Sequence, residues 1–178
     1  MEEAPNPGKT GKRGFLFDMW NLKQWIRDIG RLDEKKIFFN VVKDNEVKEF
    51  ILDLNKLEQL FKQGKDANED IIGVYSQFTE EVNRGKTFSF KGTVKTKKAG
   101  EPIFLFDTGE FYSSFTVVIR KDGIFITANE ILDDGRSLTE MFGDGIVGLN
   151  EESLTKLAHG ILSKYIKETR SQIDKILS

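Results

Sequence analysis

Apolar residues recur at helical spacing in two segments near the start of the chain. The first covers residues 15–29 and is followed by Gly30, which predicts a helix that ends there. The second follows Asp33, a residue type that caps helix starts, and its apolar positions predict a helix that ends at Lys43-Asp44-Asn45. Its apolar positions are Ile37, Phe38, Val41 and Val42.

The next segment mixes strand and helix signals. Residues 49–54 form a short apolar run that we interpret as a strand. Asn55 and Glu58 have the spacing of a capping box, which predicts a short helix from Leu57 that ends at Gln63-Gly64. Residues 66–70 read as a loop, and Ser76 predicts the start of a helical turn that ends near Gly85.

A β-hairpin is predicted over residues 115–128. Asp122-Gly123 is a strong two-residue turn signal between two alternating, β-branched segments. The alternation leaves Thr116, Arg120 and Thr127 on one face. It places a set of apolar residues on the other face, which helices must therefore cover: Phe115, Val117, Ile119, Ile124, Ile126 and Ala128.

The hairpin is preceded by a compact corner at residues 105–115. Asp107 and Glu110 have capping-box spacing, Gly109 keeps the predicted helix short, and Phe111 and Phe115 lie four residues apart on one face. We interpret these residues as fold-setting, together with others of the same segment: Thr108 and Ser114.

The C-terminal part predicts two further helices. Ser137 and Glu140 form another capping box, which opens a short helix to Phe142. Asn150 then opens the longest helix, predicted to run to Leu177. A helix of about 26 residues is roughly 39 Å long, which exceeds what a small sheet needs for cover. We expect its far end to contact another subunit.

Composition is consistent with a single α+β domain over residues 15–178, preceded by a flexible, Pro- and Gly-rich arm at 1–14. The chain has no cysteine, which excludes disulfides and thiolate sites. A net charge of −2 gives no global attraction to nucleic acid. No apolar run could span a membrane and the N-terminus is acidic, so we expect no membrane contact and no export.

The candidate catalytic residues are few. His159 is the single histidine and lies mid-helix without a partner for a metal or a triad. Asp133-Asp134 and Asp144 lie in turns, where aspartate is common for backbone reasons. The glycines at 143, 145 and 148 match G-x-G-x-x-G but follow a helix and not a strand. We therefore expect no enzyme, no cofactor and no metal.

The segment 86–98 is the strongest nucleic-acid candidate. It carries five lysines and no acid: Lys86, Lys91, Lys95, Lys97 and Lys98. Lysines could contact phosphates, and Phe88 and Phe90 between them could stack on bases. The alternative is an extended loop or hairpin whose phenylalanines pack on a neighbour. Trp25, off the apolar stripe of its predicted helix, is a further candidate contact, whereas Trp20 lies on that stripe.

The corner also carries a family resemblance. Residues 105–115 resemble the Asp-Thr-Gly-x-Leu-x-x-Ser-Ile motif of bacteriophage tail-completion and neck proteins, with aromatic residues in place of aliphatic ones. The matching positions are Asp107, Thr108, Gly109, Phe111, Ser114 and Phe115. Residues 138–143 resemble a second feature of this family, so that the resemblance covers about 105–145.

The resemblance implies a non-enzymatic α+β subunit of the virion. Such a subunit is made in the bacterial host cytoplasm and forms a homo-oligomeric ring at the head-to-tail junction. Its partners would be portal or adaptor connector proteins and tail proteins, with possible contact to packaged DNA. A nucleic-acid-binding module that uses segment 86–98 is the alternative.

Overall fold

The computed structural model describes residues 27, 30–120 and 122–177. The predicted arm at 1–14, Trp20, Trp25 and most of the predicted helix at 15–29 lie outside these residues. The described elements are α1 (Glu34–Val42), α2 (Asn45–Asp53), a π-helix (Leu54–Gln63), α3 (Gln77–Val82), β1 (Phe88–Phe90), β2 (Thr93–Lys95), α4 (Glu110–Ser113), β3 (Thr116–Arg120), β4 (Gly123–Thr127), α5 (Leu138–Phe142), a 3₁₀ turn (Asp144–Ile146) and α6 (Glu151–Leu177).

The start of α1 is as predicted, because the Asp33 carboxylate accepts a hydrogen bond from the Lys36 backbone N–H. The strand predicted at 49–54 is wrong. Asp44 caps a second helix in the same way, through the Glu46 N–H, and α2 continues through the apolar run. The run stays helical because Val47 and Ile51 are four residues apart and are both buried.

The predicted capping box at Asn55 is also wrong. The chain does not restart at Leu57 but passes directly from α2 into the π-helix, which ends as predicted at Gly64 in the left-handed conformation. Asn55 lies inside this helix and is fully buried. Asn55 is therefore a buried residue within a helix and not the cap that the sequence predicts.

The two described sheets are antiparallel hairpins, β1–β2 and β3–β4. In the second, Val117 pairs with Ile126 and Ile119 with Ile124, so that the predicted apolar face is confirmed. The turn lies one residue earlier than predicted, because Gly123 pairs with Arg120 and is itself part of β4. This shifts the register by two residues, which leaves each side chain on its predicted face.

The β3–β4 hairpin lies between two hydrophobic clusters. The first is rich in aromatic residues and includes Phe61, Phe104 and Tyr112. The second is mainly aliphatic and includes residues of α1, α2 and α6. Val117 and Ile126 pack against both clusters. The fold is thus α+β, as predicted, with the hairpin joining the two parts of the core.

The long helix α6 begins at Glu151 after the Asn150 side chain, which accepts the Ser153 N–H, and extends to Leu177 as predicted. Gly160 of this helix lies against Phe50 of α2. A Cβ atom there would lie 2.4 Å from the Phe50 ring, so that only glycine lets the ring pack against the helix.

Candidate functional site

The corner at 105–115 forms the short helix and strand entry that were predicted, but by a different mechanism. Asp107 does not cap α4. The helix begins after Gly109, whose φ of 89° is left-handed, and the Thr108 hydroxyl accepts the Glu110 N–H at 3.3 Å. The Asp107 carboxylate instead lies 3.0 Å from the Lys97 ammonium. The predicted Asp107–Glu110 capping box is therefore wrong.

Other parts of the corner are as predicted. The rings of Phe111 and Phe115 lie 4.8 Å apart, and both are buried. Ser114 connects the corner to the chain after β4, because its hydroxyl donates to the Phe111 carbonyl and accepts the Asn129 N–H. The corner is thus fixed to the first cluster and to the hairpin at the same time.

Two tyrosines hold the backbone of Phe104, which lies just before the corner. The Tyr112 hydroxyl donates to the Phe104 carbonyl at 2.6 Å, and the Tyr75 hydroxyl accepts the Phe104 N–H at 3.2 Å. Burial raises the pKa of Tyr75 to about 12 and raises the pKa of Tyr112 well above its usual value. Both hydroxyls are therefore protonated at neutral pH, as the Tyr112 bond requires.

The segment 86–98 is a hairpin that packs on the core. Phe88 is buried, and the Phe90 ring lies 5.0 Å from Tyr112 and 5.8 Å from Phe61. The alternative of a hairpin is therefore correct, but its two phenylalanines pack on the core of the same chain and not on a neighbour. Neither ring stands free on the surface in the way that stacking on a base requires.

Three of the five lysines of this segment have partners within the chain. The Lys91 ammonium lies 2.5 Å from the Asp53 carboxylate, and Lys97 pairs with Asp107. The Lys95 ammonium donates to the Lys62 carbonyl, and burial lowers its pKa. Lys95 and Lys97 also lie over the rings of Phe104 and Phe88, at 5.1 and 4.2 Å. Lys86 and Lys98 remain exposed.

The glycine-spaced loop at 143–148 is a packing site. A Cβ on Gly145 would lie 2.4 Å from the Asp66 carboxylate, and the Gly145 carbonyl accepts the Ala67 N–H. Asp66 itself accepts the N–H groups of Asn68 and Asp70. The glycines thus allow the loop at 66–70 to approach closely, and a carboxylate lies where a phosphate would have to bind.

Two buried amides of the π-helix bind the end of this loop and the residue before α6. The Asn55 side chain accepts the Gly148 N–H and donates to the Ile146 carbonyl. The Gln59 side chain donates to the Gly148 carbonyl and accepts the Asn150 N–H. These bonds fix the start of α6. Sequence analysis missed them, because polar residues in a helix carry no signal for a partner some 90 positions away.

The other candidate chemical groups are dispersed. His159 is exposed on α6. Asp134 pairs with Arg136, which lowers the pKa of Asp134, while Asp133 and Asp144 are exposed. Across residues 30–120 and 122–177, no group of three or more His, Asp or Glu side chains is arranged to hold a metal ion.

The distal half of α6 carries a second apolar stripe. Leu157 and Ile161 are buried against the second cluster. Leu162, Ile166, Ile173 and Leu177 lie on another face, at intervals of four and seven residues. Leu162 is 51%, Ile166 42% and Leu177 44% exposed. We call these four residues the distal stripe.

Comparison of the chain with family models, with curated proteins and with solved structures gives no match. Among the described residues, none of the helices combines the length and the apolar composition needed to cross a bilayer.

Proposed function

We propose that this chain is a structural subunit of the bacteriophage head-to-tail junction, where it forms a homo-oligomeric ring between a portal-side connector and the tail. The observation that carries the proposal is the distal stripe of α6. This helix of 27 residues packs on α1, α2 and the π-helix, and its distal part presents apolar side chains at heptad-like spacing. Such a face is typical of a contact with another subunit.

The corner supports the phage part of the proposal through its resemblance to neck proteins. Its residues pack Phe111 and Phe115 and leave Asp107 exposed, which suits a fold-setting element more than a catalytic one. The carboxylates of Asp107, Glu110, Asp133 and Asp134 border one cavity beside the corner, but no group of three among the described residues is arranged to hold a metal ion. The proposed role is therefore assembly.

The nucleic-acid alternative has less support. It requires the lysines and phenylalanines of 86–98 to face a ligand. The two phenylalanines are instead in the core, and Lys91, Lys95 and Lys97 are engaged within the chain. Lys86 and Lys98 are the two lysines of the segment that have no side-chain partner among the described residues, and two lysines provide few phosphate contacts.

The experiment is particle assembly with a stripe variant. Ile166→Glu places a charge on the distal stripe, and Lys167→Gln changes the net charge by the same amount on a neighbouring face. We expect particles made with Ile166→Glu to accumulate as separate heads and tails, whereas Lys167→Gln gives joined particles. Electron microscopy and mass spectrometry of purified particles measure both outcomes. Joined particles with Ile166→Glu, or particles that contain no copy of this chain, would contradict the proposal.

A further inference from the structure

An open apolar groove lies where α1, α2, the β3–β4 hairpin and the start of α6 meet. Its volume is about 430 Å³. Most of its lining is apolar, with Phe38, Phe39, Ile124, Ile126, Leu149 and Leu154 among the lining residues. Lys35 and Asp122 bring one positive and one negative charge to the same groove. The 52% exposure of Leu154 shows that no described part of the chain covers this side.

An exposed apolar projection lies on α3. This helix has no buried residue, and Phe78 and Val82 are 74% and 56% exposed on one face, four positions apart. The helix is nevertheless anchored. Ser76 caps it through the Thr79 N–H, and the Glu80 carboxylate accepts the Ala99 N–H at 2.8 Å. An aromatic and an aliphatic side chain are thus held outward by a fixed element.

The charges beside the two surfaces are complementary. Glu81 and Arg84 are exposed next to the projection, as Lys35 and Asp122 are at the groove. None of these four side chains has an ion-pair partner within residues 30–120 and 122–177. Each surface therefore offers one cation and one anion to a docked partner, which favours a specific orientation.

We propose that Phe78 and Val82 of one copy dock into this groove of a second copy. This inference rests on the proposed function and names one contact through which subunits join. The projection belongs to the part of the chain beside Tyr75 and the aromatic cluster, whereas the groove borders the aliphatic cluster. The contact is therefore heterologous. Each copy inserts its α3 projection into the groove of one neighbour and accepts the projection of another neighbour in its own groove. Repeated contacts of this kind close into a ring when the rotation between copies allows it.

The test measures the oligomeric state of the full chain by sedimentation and native mass spectrometry. Phe78→Glu removes the projection and Leu154→Glu charges the groove. Both positions are exposed in the single chain, so we expect each variant to stay folded by circular dichroism. Each variant alone should lose all species larger than the monomer, while wild type assembles.

Mixing the two variants gives the decisive measurement. Phe78→Glu keeps an intact groove, and Leu154→Glu keeps an intact projection. In an equimolar mixture each pair of chains can therefore form one contact in which neither surface is substituted. We expect a dimer and nothing larger. A reciprocal two-fold dimer would differ from this in wild type, which would then form a dimer and nothing larger. Met141→Glu, an exposed apolar position away from both surfaces, is the control and should assemble like wild type.

Four outcomes would overturn the contact: a wild-type chain that stays monomeric at every concentration, variants that assemble normally, a mixture that gives no dimer, or a lipid or peptide that occupies the groove of wild type and not of Leu154→Glu. The proposed function is judged separately by the Ile166→Glu particles. If Ile166→Glu gives joined particles, the proposed role at the junction is contradicted. That result does not affect the proposed contact between two copies of the chain.

Discussion

Several side chains of this protein hold the fold together by hydrogen bonds to backbone groups. Tyr75 and Tyr112 bind the two sides of Phe104, Ser114 binds the chain after β4, and Asn55 and Gln59 bind the approach to α6. Each of these bonds joins segments that are distant in the sequence. Removing one partner leaves the other as a buried group without a hydrogen bond, which is the costly case.

Replacing Tyr112 by Phe should lower the free energy of unfolding by about 1–3 kcal/mol, because the Phe104 carbonyl then loses its buried donor. Urea denaturation measures the change. Tyr165→Phe is the matched control, since the Tyr165 hydroxyl makes no hydrogen bond within the described residues. Equal stabilities of the two variants would refute the role of the Tyr112 hydroxyl.

Stability should fall as pH rises between about 10 and about 12, because burial raises the pKa of Tyr75 to about 12 from a usual value near 10. In that window the unfolded chain has lost a proton that the folded chain keeps. The contribution of Tyr75 to stability is therefore complete below about pH 10 and is lost progressively up to about pH 12. Urea midpoints across this range measure the slope. Tyr75→Phe should show a shallower decline, and an unchanged slope would contradict the assignment.

The corner gives a contrast between neighbouring positions. Gly109→Ala should cost about 1–2 kcal/mol, because a φ of 89° is unfavourable for a residue with a Cβ atom. The new Cβ would also lie 3.3 Å from the Phe106 ring. Asp107→Ala should change stability by less than about 1 kcal/mol, because its carboxylate is 78% exposed and caps nothing. Thermal unfolding distinguishes this from a capping role, in which Asp107→Ala would be the more damaging change.

At the scale of elements, tertiary packing decides between helix and strand where the local sequence allows both. The apolar run at 49–54 suits a strand or a helix, and it is helical because α2 places Val47 and Ile51 in the second cluster. The π-helix then turns Asn55 and Gln59 toward the start of α6. Gly160 lets α2 and α6 approach each other, at a position where the helix alone would favour alanine.

Gly160→Ala should destabilise the protein, although alanine is the better helix former by about 1 kcal/mol. The added Cβ would lie 2.4 Å from the Phe50 ring, and overpacking of this kind costs about 1–3 kcal/mol. The double variant with Phe50→Leu should recover part of the loss, because the smaller side chain leaves room. A stabilised Gly160→Ala protein would show that the two helices do not pack so closely.

At the scale of the whole molecule, exposed apolar side chains lie at several places on the surface. The net charge is −2, and the exposed apolar side chains include Leu162, Ile166 and Leu177 of the distal stripe and Phe78 and Val82 of α3. Contiguous apolar surface of this kind is typical of interaction sites. The basic segment 86–98, in contrast, is largely paired within the chain.

We expect little affinity for DNA and a shallow dependence of that affinity on salt. Few lysines of 86–98 are free, so that few counterions would be released on binding. Fluorescence anisotropy with a labelled duplex and a labelled single strand, over a range of salt concentrations, measures both quantities. Lys86→Ala/Lys98→Ala removes the two lysines that have no side-chain partner among the described residues. A steep salt dependence that this double variant abolishes would restore the nucleic-acid alternative.

The sequence by itself determined the local features: the caps at Asp33, Ser76, Ser137 and Asn150, the β3–β4 hairpin with its apolar face, the length of α6 and the α+β class. These depend on neighbours within a few residues, so local pattern is enough. Only the tertiary structure decided that 49–54 is helical, that Asp107 pairs with Lys97, and that Phe88 and Phe90 are packed. Those outcomes depend on contacts between distant segments, because a ring or a carboxylate pairs with the group that the fold places beside it.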